Sequence, residues 1–352
     1  MACSQTVYEV NVMDQSAMES TARAMVAPGK GILAADESTG TIEKRFKNVG
    51  IANTEENRRA YRELLFTTPG VEEFISGVIL YDETIRQKTR DGRSMPEVLS
   101  SRGIIPGIKV DKGAKDLALF PGEKVTEGLD GLRERLAEYR KLGARFTKWR
   151  AVITIGAGLP TAACLRANAE ALARFAALSQ EAALVPIVEP EVLMDGDHSL
   201  ARCEEVTEAT LGEVFRALAR HRIVLEGMVL KPNMVVPGEN SKEKADPDRV
   251  AEATVRCLRR CVPSAVPGIV FLSGGQTEIQ ATENLNAMNR GHHGPWQLSF
   301  SYGRALQASV LGAWRGIATN VAAAQKAFYH RAQMNSLARY GQYRPELEKQ
   351  AA

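Results

Sequence analysis

The sequence predicts one α/β domain, a closed (β/α)8 TIM barrel spanning residues 1–352. Three observations carry that expectation. Short apolar runs alternate with longer amphipathic stretches, eight such runs occur, and seven of them end in charged, hydroxyl or glycine residues. Strands separated by helical patterns indicate parallel β–α–β units, and eight of them in one chain close into a barrel more readily than they spread as an open sheet. No Ser/Gly-rich linker or shift in composition divides the chain.

The apolar runs are Gly31–Ala35, Ile75–Tyr81, Ile104–Val110, Arg145–Thr154, Leu184–Val188, Met228–Leu230, Ile269–Leu272 and Leu298–Tyr302. Helical periodicity marks Leu129–Leu142, Ala162–Glu181, Thr207–Arg222, Pro247–Arg260 and Ala305–Ala327. Residues 1–15 and the tail from about Met334 to Ala352 are less regular and read as peripheral extensions.

Composition narrows the function classes. Hydrophobic residues make up 44% and charged residues 25%, a globular profile. A net charge of +3 gives no reason to expect nucleic acid or a membrane surface as partner. The start MACSQTVYEVNVMD lacks a cationic segment followed by an apolar core, so a secretory leader is not expected. Five scattered cysteines, Cys3, Cys164, Cys203, Cys257 and Cys261, read as reduced thiols of a cytoplasmic protein. Cys257 and Cys261 lie one helical turn apart, but no second pair completes a metal site.

A barrel makes a positional demand, because the loops after its strands build the active site. Lys231 closes the run Met228–Leu230. A lysine there is partly desolvated, which favours the neutral amine. Such an amine attacks a ketone to give an imine that serves as an electron sink. The alternative is a lysine snorkelling from the rim into water. Lys148 and Arg150 alternate on one strand and share a face. They either add positive charge beside Lys231 or pair with Glu189 and Glu191, which alternate on the next strand; both arrangements are compatible. Imine chemistry needs a group that protonates a leaving hydroxyl and later accepts a proton; Glu189 is assigned that role and Glu191 a supporting one. Asp36 follows the first run and either binds substrate hydroxyls or caps a helix.

Ser273-Gly274 and Gly303-Arg304 follow the seventh and eighth runs, where barrel enzymes frequently hold a phosphate on backbone N–H groups. Ser38, Thr41, Arg45 and Lys109 form a second candidate cluster, expected across the mouth. Other motifs fail. Thr161 stands where Gly156-Ala157-Gly158 would need the third glycine of a dinucleotide loop. Gly29-Lys30 lacks the rest of a phosphate-binding loop, and His292-His293 ends no strand, so no metal ligands are assigned.

The segments GILAADESTGTIEKRF, GIKVDKG, FTKWR, PIVEPE, LKPNM, FLSGGQ and SFSYGRALQ, in this order, resemble class I fructose-1,6-bisphosphate aldolase, the metal-independent form. The resemblance runs from the first helix to about Tyr343. It implies a carbon–carbon lyase (EC 4.1.2.13) of glycolysis and gluconeogenesis, with phosphorylated sugars as substrates, no cofactor, and a homotetrameric assembly. It also implies Lys231 as the Schiff-base residue, Glu189 as acid/base supported by Glu191, and roles for Asp36, Lys148 and Arg150. Ser273, Gly274, Gly303 and Arg304 match the family's one-phosphate site; Ser38, Thr41, Arg45 and Lys109 match the six-phosphate side. Many animal and plant members end in a tyrosine that assists proton transfer to the enamine carbon. This chain ends Gln350-Ala351-Ala352. The enamine proton is therefore expected from water, from the substrate's phosphate, or from a residue such as Tyr340 or Tyr343.

Three rival readings make different demands. Another Schiff-base aldolase or a transaldolase needs one phosphate site, whereas two basic clusters are present. A non-catalytic barrel scaffold tolerates loss of Lys231 or Glu189, yet both are in place. A zinc-dependent aldolase needs histidine ligands that the sequence does not arrange.

Overall fold

The computed structural model describes residues 12–291 and 294–351; Cys3 and His292-His293 lie outside the described residues. The described residues form ten strands: β1 (Gly31–Ala34), β2 (Ile75–Leu80), β3 (Ile105–Lys109), β4 (Ala114–Asp116), β5 (Lys124–Thr126), β6 (Phe146–Ile153), β7 (Val185–Val192), β8 (Val229–Leu230), β9 (Gly268–Phe271) and β10 (Gln297–Tyr302). Eight close into a barrel in the order β1-β10-β9-β8-β7-β6-β3-β2, and β4 with β5 forms a separate antiparallel hairpin. Ring closure falls between β1 and β10, where Ile32 pairs with Ser301.

Successive residues of a strand face opposite sides, and the barrel uses this twice. Outward residues such as Leu33, Val78, Ile108, Trp149, Leu230 and Phe300 join the large core beneath the helices. Inward residues Ile32, Ala34, Ile79, Phe146, Ile187, Val229 and Val270 form a second core with Met18, Met25 and Val26, contributed by or just after the helix Val12–Met25. That helix covers the amino-terminal end: Met25 O accepts from Ser76 Oγ at 2.6 Å, near the start of β2. Each fully buried methionine contributes roughly 1.5–3 kcal/mol. A Cβ on Gly107 would lie 2.2 Å from the Phe146 ring, so glycine leaves the volume that this ring fills.

The inward face changes character along each strand. Phe146 is followed inward by Lys148 and Arg150, Ile187 by Glu189 and Glu191, and Val229 by Lys231. The apolar base and the charged top are therefore consequences of one period-two pattern.

Several boundaries differ from expectation. β7 continues past Val188 to Val192, pairing Val152 with Glu191 and Ile153 with Val192. Pro190 ended the apolar run without ending the ladder. The helix expected from Thr207 begins at Leu200, because Ser199 Oγ accepts from Arg202 N at 3.1 Å and caps it. The stretch Ala305–Ala327 is two helices, Arg304–Trp314 and Val321–Arg339. Arg315 and Gly316, with φ of 50° and 73°, turn the chain between them.

The C-terminal segment is not peripheral from Met334. The helix continues through Met334, with Asn335 and Ala338 buried. Glu348 binds Arg331 Nη1 at 2.5 and 2.6 Å and accepts from Tyr343 Oη at 3.0 Å. A buried guanidinium needs a counter-ion, and the tail supplies it. No helix among the described residues is long and apolar enough to cross a membrane.

Candidate active site

One cavity of about 1130 Å³ opens at the carboxyl ends of the strands, and every candidate residue but Tyr340 and Tyr343 lines it. Its floor is a chain of charges. Lys231 follows β8 directly, and its backbone N–H donates to Val188 O at 2.8 Å, continuing the β7–β8 ladder. Lys231 Nζ lies 3.1 Å from Glu189 Oε1. Lys148 Nζ lies 3.1 Å from Glu189 Oε2 and 2.7 Å from Asp36 Oδ2. All but Asp36 are at most 3% exposed. Two ammonium groups thus face two carboxylates with balanced charge. Asp36 is committed to Lys148; the cap position of the following helix falls to Ser38.

Burial opposes ionisation of Asp36, but Lys148 and Lys231 outweigh it and hold the carboxyl below its ordinary range. Glu189 follows the same balance and is also lowered. For Lys148, burial favours the neutral amine, yet Asp36 and Glu189 hold the ammonium well above its ordinary value. Glu189 thus stands between the two lysines, with one ammonium on each carboxylate oxygen.

Arg150 pairs with Glu191 through Nε, as the alternation of both strands allows. Asp111 supports the other side: it pairs with Lys109 and accepts from Arg150 N at 3.2 Å and Gly113 N at 3.1 Å. Asn233 Oδ1 accepts from Val192 N at 3.0 Å, and its Nδ2 donates to Thr207 Oγ1 at 3.1 Å. The turn after Lys231 is thereby pinned to β7 and to the helix Leu200–Arg220.

Ser273 and Gly274 follow β9; Gly274 has a φ of 53°, which glycine adopts without strain. Its carbonyl accepts from Arg304 Nη2 at 2.6 Å, tying the loops after β9 and β10 together. Gly303 stands at the start of the helix Arg304–Trp314, whose free N–H groups suit an anion. Ser38 Oγ and Thr41 Oγ1 are 3.1 Å apart. Arg45 is not across the mouth from this loop: its Nη2 lies 3.4 Å from where a Cβ on Gly303 would sit. Ring closure of β1 against β10 brings Arg45 beside Gly303, whereas Lys109 at the end of β3 stands across the ring from β9.

Tyr340 and Tyr343 are placed away from the cavity. A Cβ on Gly29, just before β1 starts, would lie 2.6 Å from Tyr340 Oη, which puts that ring at the amino-terminal end. Tyr343 is buried with its hydroxyl on Glu348. Neither lines the cavity, so the geometry removes both as proton donors in this conformation.

Sequence reasoning missed Glu37, Asp111, Asn233 and Ser301. Ser301 Oγ is buried at the cavity wall without a hydrogen-bond partner. Asp111 was signalled by its period-two spacing from Lys109; nothing in the local sequence separated Glu37 from a solvated neighbour of Asp36.

Residues 17–352 match the family model described as fructose-bisphosphate aldolase class-I. The chain is 60% identical over 328 residues to the probable fructose-bisphosphate aldolase class 1 of Xanthomonas campestris pv. campestris, covering 93% of this chain and 98% of that protein. It is 57% identical to the fructose-bisphosphate aldolase of Dictyostelium discoideum, covering 93% and 92%. A solved structure of the Plasmodium falciparum enzyme, in complex with TRAP and a small-molecule inhibitor, superposes with a TM-score of 0.94 at 50% identity, covering 96% of this chain and 99% of that one. With its sequence, its closed barrel and its matched family pattern in agreement, the chain belongs to the class I fructose-bisphosphate aldolase family.

Proposed function

We propose that this chain cleaves fructose 1,6-bisphosphate reversibly to dihydroxyacetone phosphate and glyceraldehyde 3-phosphate, with Lys231 as the nucleophile. The observation that supports this most is Lys231 Nζ, buried and 3.1 Å from a carboxylate that also faces Lys148. Lys231 gives a proton to Glu189, the freed amine adds to the C2 carbonyl, and loss of the C2 hydroxyl as water, protonated by Glu189, leaves an iminium ion. Glu189 then accepts the proton of the C4 hydroxyl as the C3–C4 bond breaks. The bonding pair moves toward nitrogen and forms the enamine, and the aldehyde departs. Protonation at C3 and hydrolysis release the ketone and regenerate the amine. Asp36 holds substrate hydroxyls, and Lys148 balances the two carboxylates through both half-reactions. Glu191 orients Arg150. Ser273, Gly274, Gly303 and Arg304 take the phosphate near the imine, whereas Ser38, Thr41, Arg45 and Lys109 take the far one.

Two related expectations accompany this reading. A homotetramer is checked by light scattering of the purified chain. A cytoplasmic location is supported by relatives such as the cytosolic aldolase 5 of Arabidopsis thaliana and the cytoplasmic isozyme of Spinacia oleracea.

Borohydride reduction with fructose 1,6-bisphosphate in excess EDTA, followed by peptide mapping, tests the mechanism. An adduct on Lys231 is the expected result. No adduct, with cleavage abolished by EDTA, would overturn it.

A further inference from the structure

Beside the charged floor lies a second network that the reaction steps above leave unused. Glu37 is buried directly after Asp36 and lines the cavity. Its carboxylate pairs with Arg45 on one side, and Oε2 accepts from Arg62 Nη2 at 2.5 Å on the other. Gln307 Nε2 donates to Glu37 Oε1 at 3.0 Å and to Ala34 O at 2.8 Å. Gln307 Oε1 accepts from Tyr61 Oη at 3.0 Å, so the amide has one consistent orientation. Glu37 is thereby fixed to three helices at once, and through Gln307 to the end of β1. Arg62 and Gln307 do not line the cavity; Glu37 and Arg45 do, and of these Arg45 carries the positive charge.

We propose that Glu37, held by Arg62 and Gln307, positions Arg45 for the phosphate farther from the reacting carbon and so sets a preference for a bisphosphate over a monophosphate ketose. This rests on the aldolase reading. Two guanidinium groups share one carboxylate, which leaves the triad with a net charge of +1 and room for an anion. Around the ring, β9 adjoins β8 and its lysine, β10 comes next, and β1 follows. A phosphate one carbon from the imine reaches the β9 and β10 loops first. Arg45, at the corner of β10 and β1, meets the phosphate at the other end of the chain.

The test compares fructose 1,6-bisphosphate with fructose 1-phosphate as substrates. Glu37→Gln keeps the shape and removes the charge. Its kcat/KM for the bisphosphate should fall about tenfold, through KM, while that for fructose 1-phosphate changes less than about twofold. A role in folding alone lowers both together. Equal losses, or no loss with either, overturn the proposal. Glu37→Gln also leaves Arg62 buried and unpaired. The double variant Glu37→Gln/Arg62→Met removes both charges and should show the same change in ratio if the single variant does not fold. A wild-type chain that cleaves neither ketose removes the aldolase reading and this proposal with it. One that cleaves both, while the variants keep its ratio, overturns the proposal alone.

Discussion

Lys148 takes its charge state from the groups around it. It touches Asp36 and Glu189, both held ionised below their ordinary range, and is itself held protonated above its own. Removing one partner of a buried pair strands the others. Lys148→Met is therefore expected to cost about 3 kcal/mol at pH 7. The pH dependence has a sign on each side. A depressed carboxylate stabilises the fold above its unfolded value, and this is lost as pH falls toward the folded one. A raised lysine stabilises below its unfolded value, near pH 10.4 on average, and this is lost as pH rises through the folded one. The stability gap between wild type and variant should thus narrow below about pH 4 and above about pH 10. Urea denaturation across that range measures it, and a constant gap would remove the pairing from the energetics. At this scale the residue types were legible in the sequence, because period-two spacing put Lys148 with Arg150 and Glu189 with Glu191. The identity of each partner was not, since pairing is set by neighbouring strands.

At the scale of elements, strand registers place an aromatic ring where two neighbouring strands carry glycine. Phe146 fills the space inside Gly107, and a Cβ on Gly77 would lie 3.1 Å from the same ring. Gly107→Ala is expected to destabilise by about 2 kcal/mol through overpacking. Phe146→Leu in the same chain should recover part of that loss. A double-mutant cycle in which the two effects simply add would refute the contact. The eight strands were readable from apolar runs, since burial on both faces leaves a nearly continuous hydrophobic signature. Their ends were less readable. β7 outlasts its apolar run because ladder bonds to β6 continue beneath charged side chains. The hairpin β4–β5 has an exposed first strand and offered no periodic signal.

At the scale of the whole molecule, two contacts matter most. One is ring closure of β1 on β10, which brings Arg45 to Gly303. The other is the clasp in which Glu348 engages Arg331, His330 and Tyr343. Glu348→Ala leaves the Arg331 guanidinium buried and uncompensated, and should cost about 3 kcal/mol by chemical denaturation. Glu348 does not line the cavity, so kcat/KM for the aldol reaction should remain within about twofold of wild type. A large loss of activity without loss of stability would mean that the tail reaches the site.

The sequence alone was enough for the barrel, for its single domain and for the end at which the charged inward residues gather. Local periodicity encodes which side chains face inward, and a closed ring of parallel strands has one face of loops where such residues converge. Folding in three dimensions settled what each charge touches. It placed Asp36 on Lys148 and not at a helix cap, brought Arg45 beside Gly303, and moved Tyr340 and Tyr343 away from the cavity. Those outcomes depend on closure, strand register and the packing of a C-terminal segment. They join residues far apart along the chain, where short-range pattern carries no information about distance.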